Sequence, residues 1–281
     1  MGLKRKDNSW TSREPMDFDE FLRETAPLLG LQWRPFQRRG IKRKIERRIT
    51  DIGLSKFDEY LLRVKSDSEE KNTFSKILTV TISSFFRDKE VFRIIEDSVI
   101  PTIIKNRKEG NLKIWSMGCA SGEEPYTLAL LWDQKFEKIY PQINLCLLAT
   151  DIDEKMLERA VEGKYKRSSF KEIPDEILKK FFKMDSEFYI LDQVIRESVE
   201  FKRHDILHEE PFSGMDIVFC RNLAFTYFSK ESQIKIIKKI AQSLKREGYL
   251  VIGREETIPL IYPTLFISIH PAENIYKKFI G

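Results

Sequence analysis

The stretch Leu112–Phe136, LKIWSMGCASGEEPYTLALLWDQKF, changes character twice within twenty-five residues. Leu112–Cys119 is a short apolar run of strand type. Gly118-Cys119-Ala120-Ser121-Gly122 is a turn of small residues, and GEEPYTLALLWDQKF then has the length and composition of a helix. The unit recurs downstream. NLCLLATDID (Asn144–Asp153) is apolar, closes on acids and leads into a helix through Met156, Leu157 and Ala160. DIVFCRN (Asp216–Asn222) precedes a helix from about Lys230 to Lys245, and YLVIG follows the turn residue Gly248. Strands alternating with helices predict an α/β domain, a parallel sheet covered by helices on both faces. LFISIHP and NIYKKF, around the turn Pro271-Ala272-Glu273, predict an antiparallel hairpin at the sheet edge. EFYILDQVIRESVEF reads as a further hairpin inserted between sheet elements, within residues 181–202.

Upstream the period is helical. From Trp33 to Ile49, WRPFQRRGIKRKIERRI carries Arg34, Arg38, Arg39, Lys42, Arg43, Lys44, Arg47 and Arg48 against the single Glu46. Ile41, Ile45 and Ile49 recur every four residues, so a helix here buries one isoleucine stripe and leaves its other faces cationic. Like charges crowded on one helix weaken it slightly, which favours a use for them over a merely solvated face. SKFDEYLLRV and EEKNTFSKILTVTI read as amphipathic helices, the first with Ser55 placed to cap it. The expected organisation is a helical domain over 14–90, an α/β domain over 91–281, and a β subdomain over 181–202 inside the latter.

With 281 residues, 41% hydrophobic and 33% charged, the chain excludes disordered, collagen-like and coiled-coil classes. MGLKRKDNSW lacks the apolar stretch of a signal peptide and no run of about 18 apolar residues occurs, so a cytoplasmic protein without membrane insertion is expected. Cys119, Cys146 and Cys220 are odd in number and widely spaced, unlike a disulfide framework. His204 and His208 stand four apart, but HEEPFSG behind them reads as a turn, and no metal site is expected.

Ligands of open α/β sheets bind beyond the carboxyl ends of the strands. At the first such end, small residues let the backbone approach a ligand, and Glu123 and Glu124 at the helix start repel phosphate but suit an amino-bearing ligand. At the second, Asp151 and Asp153 offer a carboxylate to the two hydroxyls of a ribose. A ribose plus an ammonium describes S-adenosylmethionine. Taken singly, Asp151 reads equally well as a helix N-cap, and Glu123 and Glu124 as first-turn charge.

Together, TISSFFRD (Thr81–Asp88), GCASGEEPYTLAL, ATDIDEKML, CRNLAFTYF (Cys220–Phe228) and IGREE (Ile252–Glu256) resemble the CheR-type chemotaxis receptor methyltransferases. The resemblance runs from the basic helix near Arg38 to about Glu256. It implies a Rossmann-like class I methyltransferase domain with a small all-α N-terminal domain and a short inserted β hairpin subdomain. It also implies transfer of a methyl group from S-adenosyl-L-methionine to a protein glutamate, leaving S-adenosyl-L-homocysteine. On this resemblance Arg87 pairs with the methionine carboxylate, as a guanidinium fork fits a carboxylate. Thr81 and Ser83 make polar cofactor contacts, Thr81 standing where asparagine is common. Gly118 belongs to the cofactor turn, Glu123 or Glu124 meets the amino group or orders that turn, and Asp151 holds the ribose. Asp205 and Ile206 flank the adenine, and Arg221 and Asn222 lie beside the methyl donor. Tyr227 faces the acceptor, although four residues separate it from CRN where the family commonly has three. Arg38, Arg39, Lys42, Arg43 and Arg47 read an acidic, glutamate-rich face such as a chemoreceptor's cytoplasmic coiled coil. The short hairpin implies independence from a receptor tether, and a monomer is expected.

Two other readings stay open at the level of sequence. One keeps fold and cofactor but changes the acceptor, motivated by the extra residue before Tyr227. The other is a non-catalytic, cofactor-sensing module; nucleic acid is disfavoured because few aromatics interleave the basic segment beyond Trp33 and Phe36.

Overall fold

In the computed structural model, residues 15–78, 83–105, 107, 109–259 and 265–279 are described. The chain divides into two compact units, Met1–Thr79 and Val80–Gly281, a division earlier than the boundary near residue 90 expected from sequence.

The first unit is helical: α1 (Phe18–Thr25), α2 (Arg39–Asp51), α3 (Phe57–Ser66) and α4 (Ser68–Leu78). Asp17 caps α1 by accepting from Glu20 N at 2.7 Å. The start of α3 is not capped by Ser55. Glu59 reaches back to the Ser55 and Lys56 N–H groups at 3.1 and 3.2 Å and supplies the acceptor instead. Phe21, Tyr60 and Phe74 pack ring on ring, and Ile41, Ile45 and Ile49 form the buried stripe that periodicity predicts. The buried Glu70 of α4 takes a bidentate pair from Arg48 of α2, at 3.0 and 2.5 Å, and a hydroxyl bond from Tyr60 of α3 at 2.8 Å. One carboxylate therefore ties three helices, and Arg48 leaves the outward-facing cationic set.

The second unit opens with α5 (Lys89–Ile94), which continues through a π-helical turn (Ile95–Val99) into α6 (Ile100–Lys105). Then follow β1 (Gly110–Met117), α7 (Glu123–Leu131), β2 (Ile143–Asp151), α8 (Glu154–Glu162), β3 (Lys164–Lys166), α9 (Asp175–Phe181), β4 (Phe182–Asp185), β5 (Phe188–Leu191), α10 (Gln193–Glu197) and β6 (Val199–Arg203). The chain ends with β7 (Met215–Cys220), α11 (Ala224–Tyr227), α12 (Lys230–Ser243), β8 (Leu244–Ile252), β9 (Phe266–His270) and β10 (Ile275–Lys278).

The main sheet has the order β6-β2-β1-β7-β8-β10-β9, with β6 through β8 parallel and β10 and β9 antiparallel at the edge, as the tail pattern predicts. Alternation along the strands divides the interior in two. Ile114, Leu147, Phe219 and Val251 join α5, α6 and α7 in one core, while Trp115, Leu148, Val218 and Leu250 join α12 in the other. A sheet covered on both faces explains why every residue of β7 is buried. The winding reverses at β1, whose neighbours are β2 on one side and β7 on the other. The crevice at their carboxyl ends is where such sheets take ligands.

One expectation is corrected. The inserted hairpin is β4–β5 alone, joined by β3 into a second sheet of order β3-β5-β4. Val199–Arg203 is not part of it but the parallel edge strand of the main sheet, in register with Leu147–Asp151. Its alternation is the same in either role, and only the partner strand distinguishes them.

Candidate functional site

The turn after β1 is built by backbone. Gly118 and Cys119 N–H groups both donate to Thr150 O, at 2.8 and 2.9 Å, stitching the turn to the end of β2. Gly118, Ala120 and Gly122 have φ of 69°, 52° and 89°, the left-handed region where a side chain is costly. A Cβ on Gly122 would lie 2.9 Å from Ala160 Cβ, so helix α8 presses directly on the turn.

Both glutamates at the start of α7 work inside the protein. Glu123 is 3% exposed, accepts from Ser121 Oγ at 2.9 Å and Ser169 Oγ at 3.3 Å, and is also bonded by Ser83. Burial raises its carboxyl above the ordinary range despite these donors. Glu124 accepts from Ser116 Oγ at 2.8 Å and pairs with Arg221 at 3.1 Å. Glu123 thus bonds within the turn, through Ser121, whereas Glu124 ties the end of β1 to the segment after β7.

Asp151 closes β2. Its Oδ2 accepts from Ala120 N and its Oδ1 from Asp153 N, both at 2.9 Å. Burial pushes it above the usual carboxylate range. The cap of α8 is Asp153, which accepts from Lys155 N, so Asp151 is left to join the two strand ends. Beside it, His204 N donates to Asp151 O. The His204 ring lies buried against Trp115 and Phe212, and the turn that follows falls at residues 206–209, ahead of most of the HEEPFSG segment expected to turn. Asp205 caps that turn by accepting from Leu207 N at 3.0 Å and His208 N at 3.3 Å. Its other oxygen meets His208 Nδ1 at 2.8 Å. Ile206 is buried in the core shared with Trp115.

Arg221, at the end of β7, draws three segments together. It donates to Glu124 of α7, to Arg87 O at 2.9 Å and to Asp88 at 2.5 Å, and its guanidinium lies 5.4 Å from the Phe92 ring centre. Its Nε is buried with no protein partner. Asp88 pairs with Arg221 and Glu90 with Arg93, so both carboxylates beside Arg87 are engaged by other arginines. The Arg87 side chain itself is half-buried.

Asn222 follows with φ 54°, and the chain then enters the four-residue helix α11, which ends on Tyr227. A residue missed by the sequence reading governs this segment: Glu256, 3% exposed. Its carboxylate accepts from Asn222 N (2.8 Å), Gly253 N (2.7 Å), Leu223 N (3.1 Å) and Thr226 Oγ1 (2.7 Å). The signal available in sequence was an acid four residues past the apolar end of β8, a place where a buried charge needs donors.

Thr81 lies outside the described residues. Ser83, Gly118, Glu123, Glu124, Asp151, Arg221 and Asn222 gather at the ends of β1, β2 and β7; Asp205 and Ile206 adjoin the end of β6. In the first unit, Arg38, Arg39, Lys42, Arg43, Lys44 and Arg47 are all exposed around α2.

Residues 81–273 match the family described as CheR methyltransferase, SAM binding domain. The chemotaxis protein methyltransferase of Listeria monocytogenes is 32% identical over 242 residues, covering 86% of this chain and 90% of that protein. Chemotaxis protein methyltransferase 2 of Vibrio cholerae is 29% identical over 226 residues, 78% of this chain and 77% of that one. The chemotaxis protein methyltransferase of Borreliella burgdorferi is 29% identical, covering 76% and 80%.

Proposed function

The chain belongs to the CheR methyltransferase family, with S-adenosylmethionine as cofactor, and from that premise we propose that it methylates glutamate side chains on the cytoplasmic domain of a chemoreceptor. The observation that carries the acceptor class is the cationic face of α2, six exposed Lys and Arg side chains around a buried isoleucine stripe. Such a face suits an acidic, glutamate-rich protein. The names of the relatives, chemotaxis protein methyltransferases, support a receptor as its source. Among the described residues no helix is long and apolar enough to cross a membrane. A monomer acting in the cytoplasm is the form we propose.

The residues present fit the cofactor. The left-handed turn Gly118–Gly122 brings backbone rather than side chains to the crevice, Asp151 stands at the strand end suited to ribose hydroxyls, and Arg221 Nε is a buried donor awaiting an acceptor. In this reading Arg87 holds the methionine carboxylate, and Thr81 and Ser83 add polar contacts. Asp205 and Ile206 flank the adenine, Arg221 and Asn222 lie beside the methyl donor, and Tyr227 faces the acceptor. Glu123 and Glu124 keep the turn and Arg221 in place.

When bound, S-adenosylmethionine supplies an electrophilic methyl group. The acceptor carboxylate is ionised at neutral pH, its reference pKa being about 4.3, so no strong general base is required. The protein's part is to align that carboxylate and strip water from it.

Purified protein, methyl-labelled cofactor and a chemoreceptor cytoplasmic fragment test the reading. Label that alkali releases as methanol is the expected product. Alkali-stable label on the fragment would replace glutamate with an amine acceptor. Calorimetric titration with S-adenosylhomocysteine should show Arg87→Ala weakened by about 1.5–3 kcal/mol, the worth of a charge-assisted contact.

A further inference from the structure

The turn 205–209 is clamped by a side chain from an element that sequence motifs pass over. Lys239, on α12, places Nζ 2.9 Å from Ile206 O, 3.2 Å from Leu207 O and 2.6 Å from Glu209 O. An ammonium has three donors and no acceptor capacity. Here all three are directed at carbonyls of one turn.

The other side of the turn is satisfied by carboxylates. Asp205 takes the Leu207 and His208 N–H groups, and Glu209 takes Asp205 N at 3.3 Å while pairing with Arg203. Within the turn, Asp205 O also accepts from His208 N and Glu209 N, whereas the carbonyls of Ile206, Leu207 and Glu209 are met from outside it by Lys239. The outside anchor is rigid, because Ile236, Ile237 and Ile240 bury the inner face of α12 against the sheet. Without Lys239 the three carbonyls would lose charge-assisted partners that local sequence does not replace, since Pro211 has no N–H to offer.

We infer that Lys239 is a positioning residue for the adenosine half of the cofactor, holding Asp205 and Ile206 in place without touching the ligand. The inference rests on the proposed placement of those two residues beside the adenine.

Full-length wild type, Lys239→Met, Lys239→Arg, Ile206→Ala and Arg87→Ala are titrated with S-adenosylhomocysteine and with adenosine, after circular dichroism establishes that each is folded. Lys239→Met should weaken both ligands by the same factor, about tenfold or 1.4 kcal/mol. Arg87→Ala should weaken only the ligand that carries the amino-acid half. Lys239→Arg should recover part of the loss, because a guanidinium also donates to several carbonyls. A lysine whose loss loosened the whole site would weaken S-adenosylhomocysteine more than adenosine, because contacts to the amino-acid half would be lost as well. Folded Lys239→Met that binds adenosine as wild type does would overturn the inference. In that event, Ile206→Ala tells which premise failed. If it weakens adenosine, the adenine placement holds and only the role of Lys239 falls; if it does not, the placement itself is wrong.

Discussion

Glu256 concentrates the site's dependence on a single side chain. Its two oxygens receive three backbone N–H groups and one hydroxyl, and they join the turn after β7 to the turn after β8. In Glu256→Gln one oxygen becomes an NH₂ group that faces N–H donors whichever way the amide turns. That variant should lose about 2 kcal/mol of stability. Denaturant unfolding reads the loss, and methyl transfer should fall because Asn222 and α11 shift. Unchanged unfolding would mean that the turns hold without the carboxylate. A sequence can show an acid after an apolar strand, but not that four donors converge on it from positions up to thirty-four residues away. Lys239 was illegible for the same reason.

At the scale of elements, the β1 turn and α8 meet with no room for a side chain between them. Gly122→Ala combines a φ of +89° with a Cβ 2.9 Å from Ala160 Cβ, which cannot rotate away. A cost of about 1–3 kcal/mol is expected, read as a lowered melting temperature together with weaker S-adenosylhomocysteine binding. Wild-type behaviour in both would show that the turn can give way. In the helical unit, the Arg48 hydrogen bond is the main force holding Glu70 below the ordinary glutamate range. A depressed folded pKa stabilises above the unfolded value, about 4.3, and that contribution fades as pH falls through the lower folded value. Stability at neutral pH should exceed that of Glu70→Gln by about 2 kcal/mol, discounted because Arg48 is one-third exposed. Thermal melts down to about pH 3 should see the difference shrink; a difference constant with pH would rule the ion pair out as its source. The strand-helix alternation was legible because β2, β7 and β8 carry apolar runs and β1 is mostly apolar, broken only by Lys113 and Ser116 after Leu112. β6 was misassigned because three of the four residues in EFKR are charged, as an edge strand can be, and β3 is three residues long and far in sequence from the hairpin it joins.

Over the whole molecule the net charge is only +5, yet six of the cations are gathered on one helix. Recognition of an acidic partner through that helix should weaken with salt as the Debye length falls below about 8 Å. Raising NaCl from 50 to about 300 mM should lower kcat/KM for a receptor fragment through KM. Arg43→Glu with Arg47→Glu should do the same at low salt, while S-adenosylhomocysteine affinity stays as in wild type. A salt-independent KM would remove α2 from the recognition surface. The division of the α/β unit into two cores has an optical consequence. Trp115 is fully buried in the core beneath the turn 205–209, donates Nε1–H to Thr150 at 2.9 Å, and stands edge-on to His204 and Phe212. Trp132 lies in the opposite core. The indole of Trp115 is therefore a built-in fluorophore, shielded from water and in contact with the wall of the crevice. Its emission, isolated by difference against Trp115→Phe, would follow the rearrangement of that wall in real time without a label.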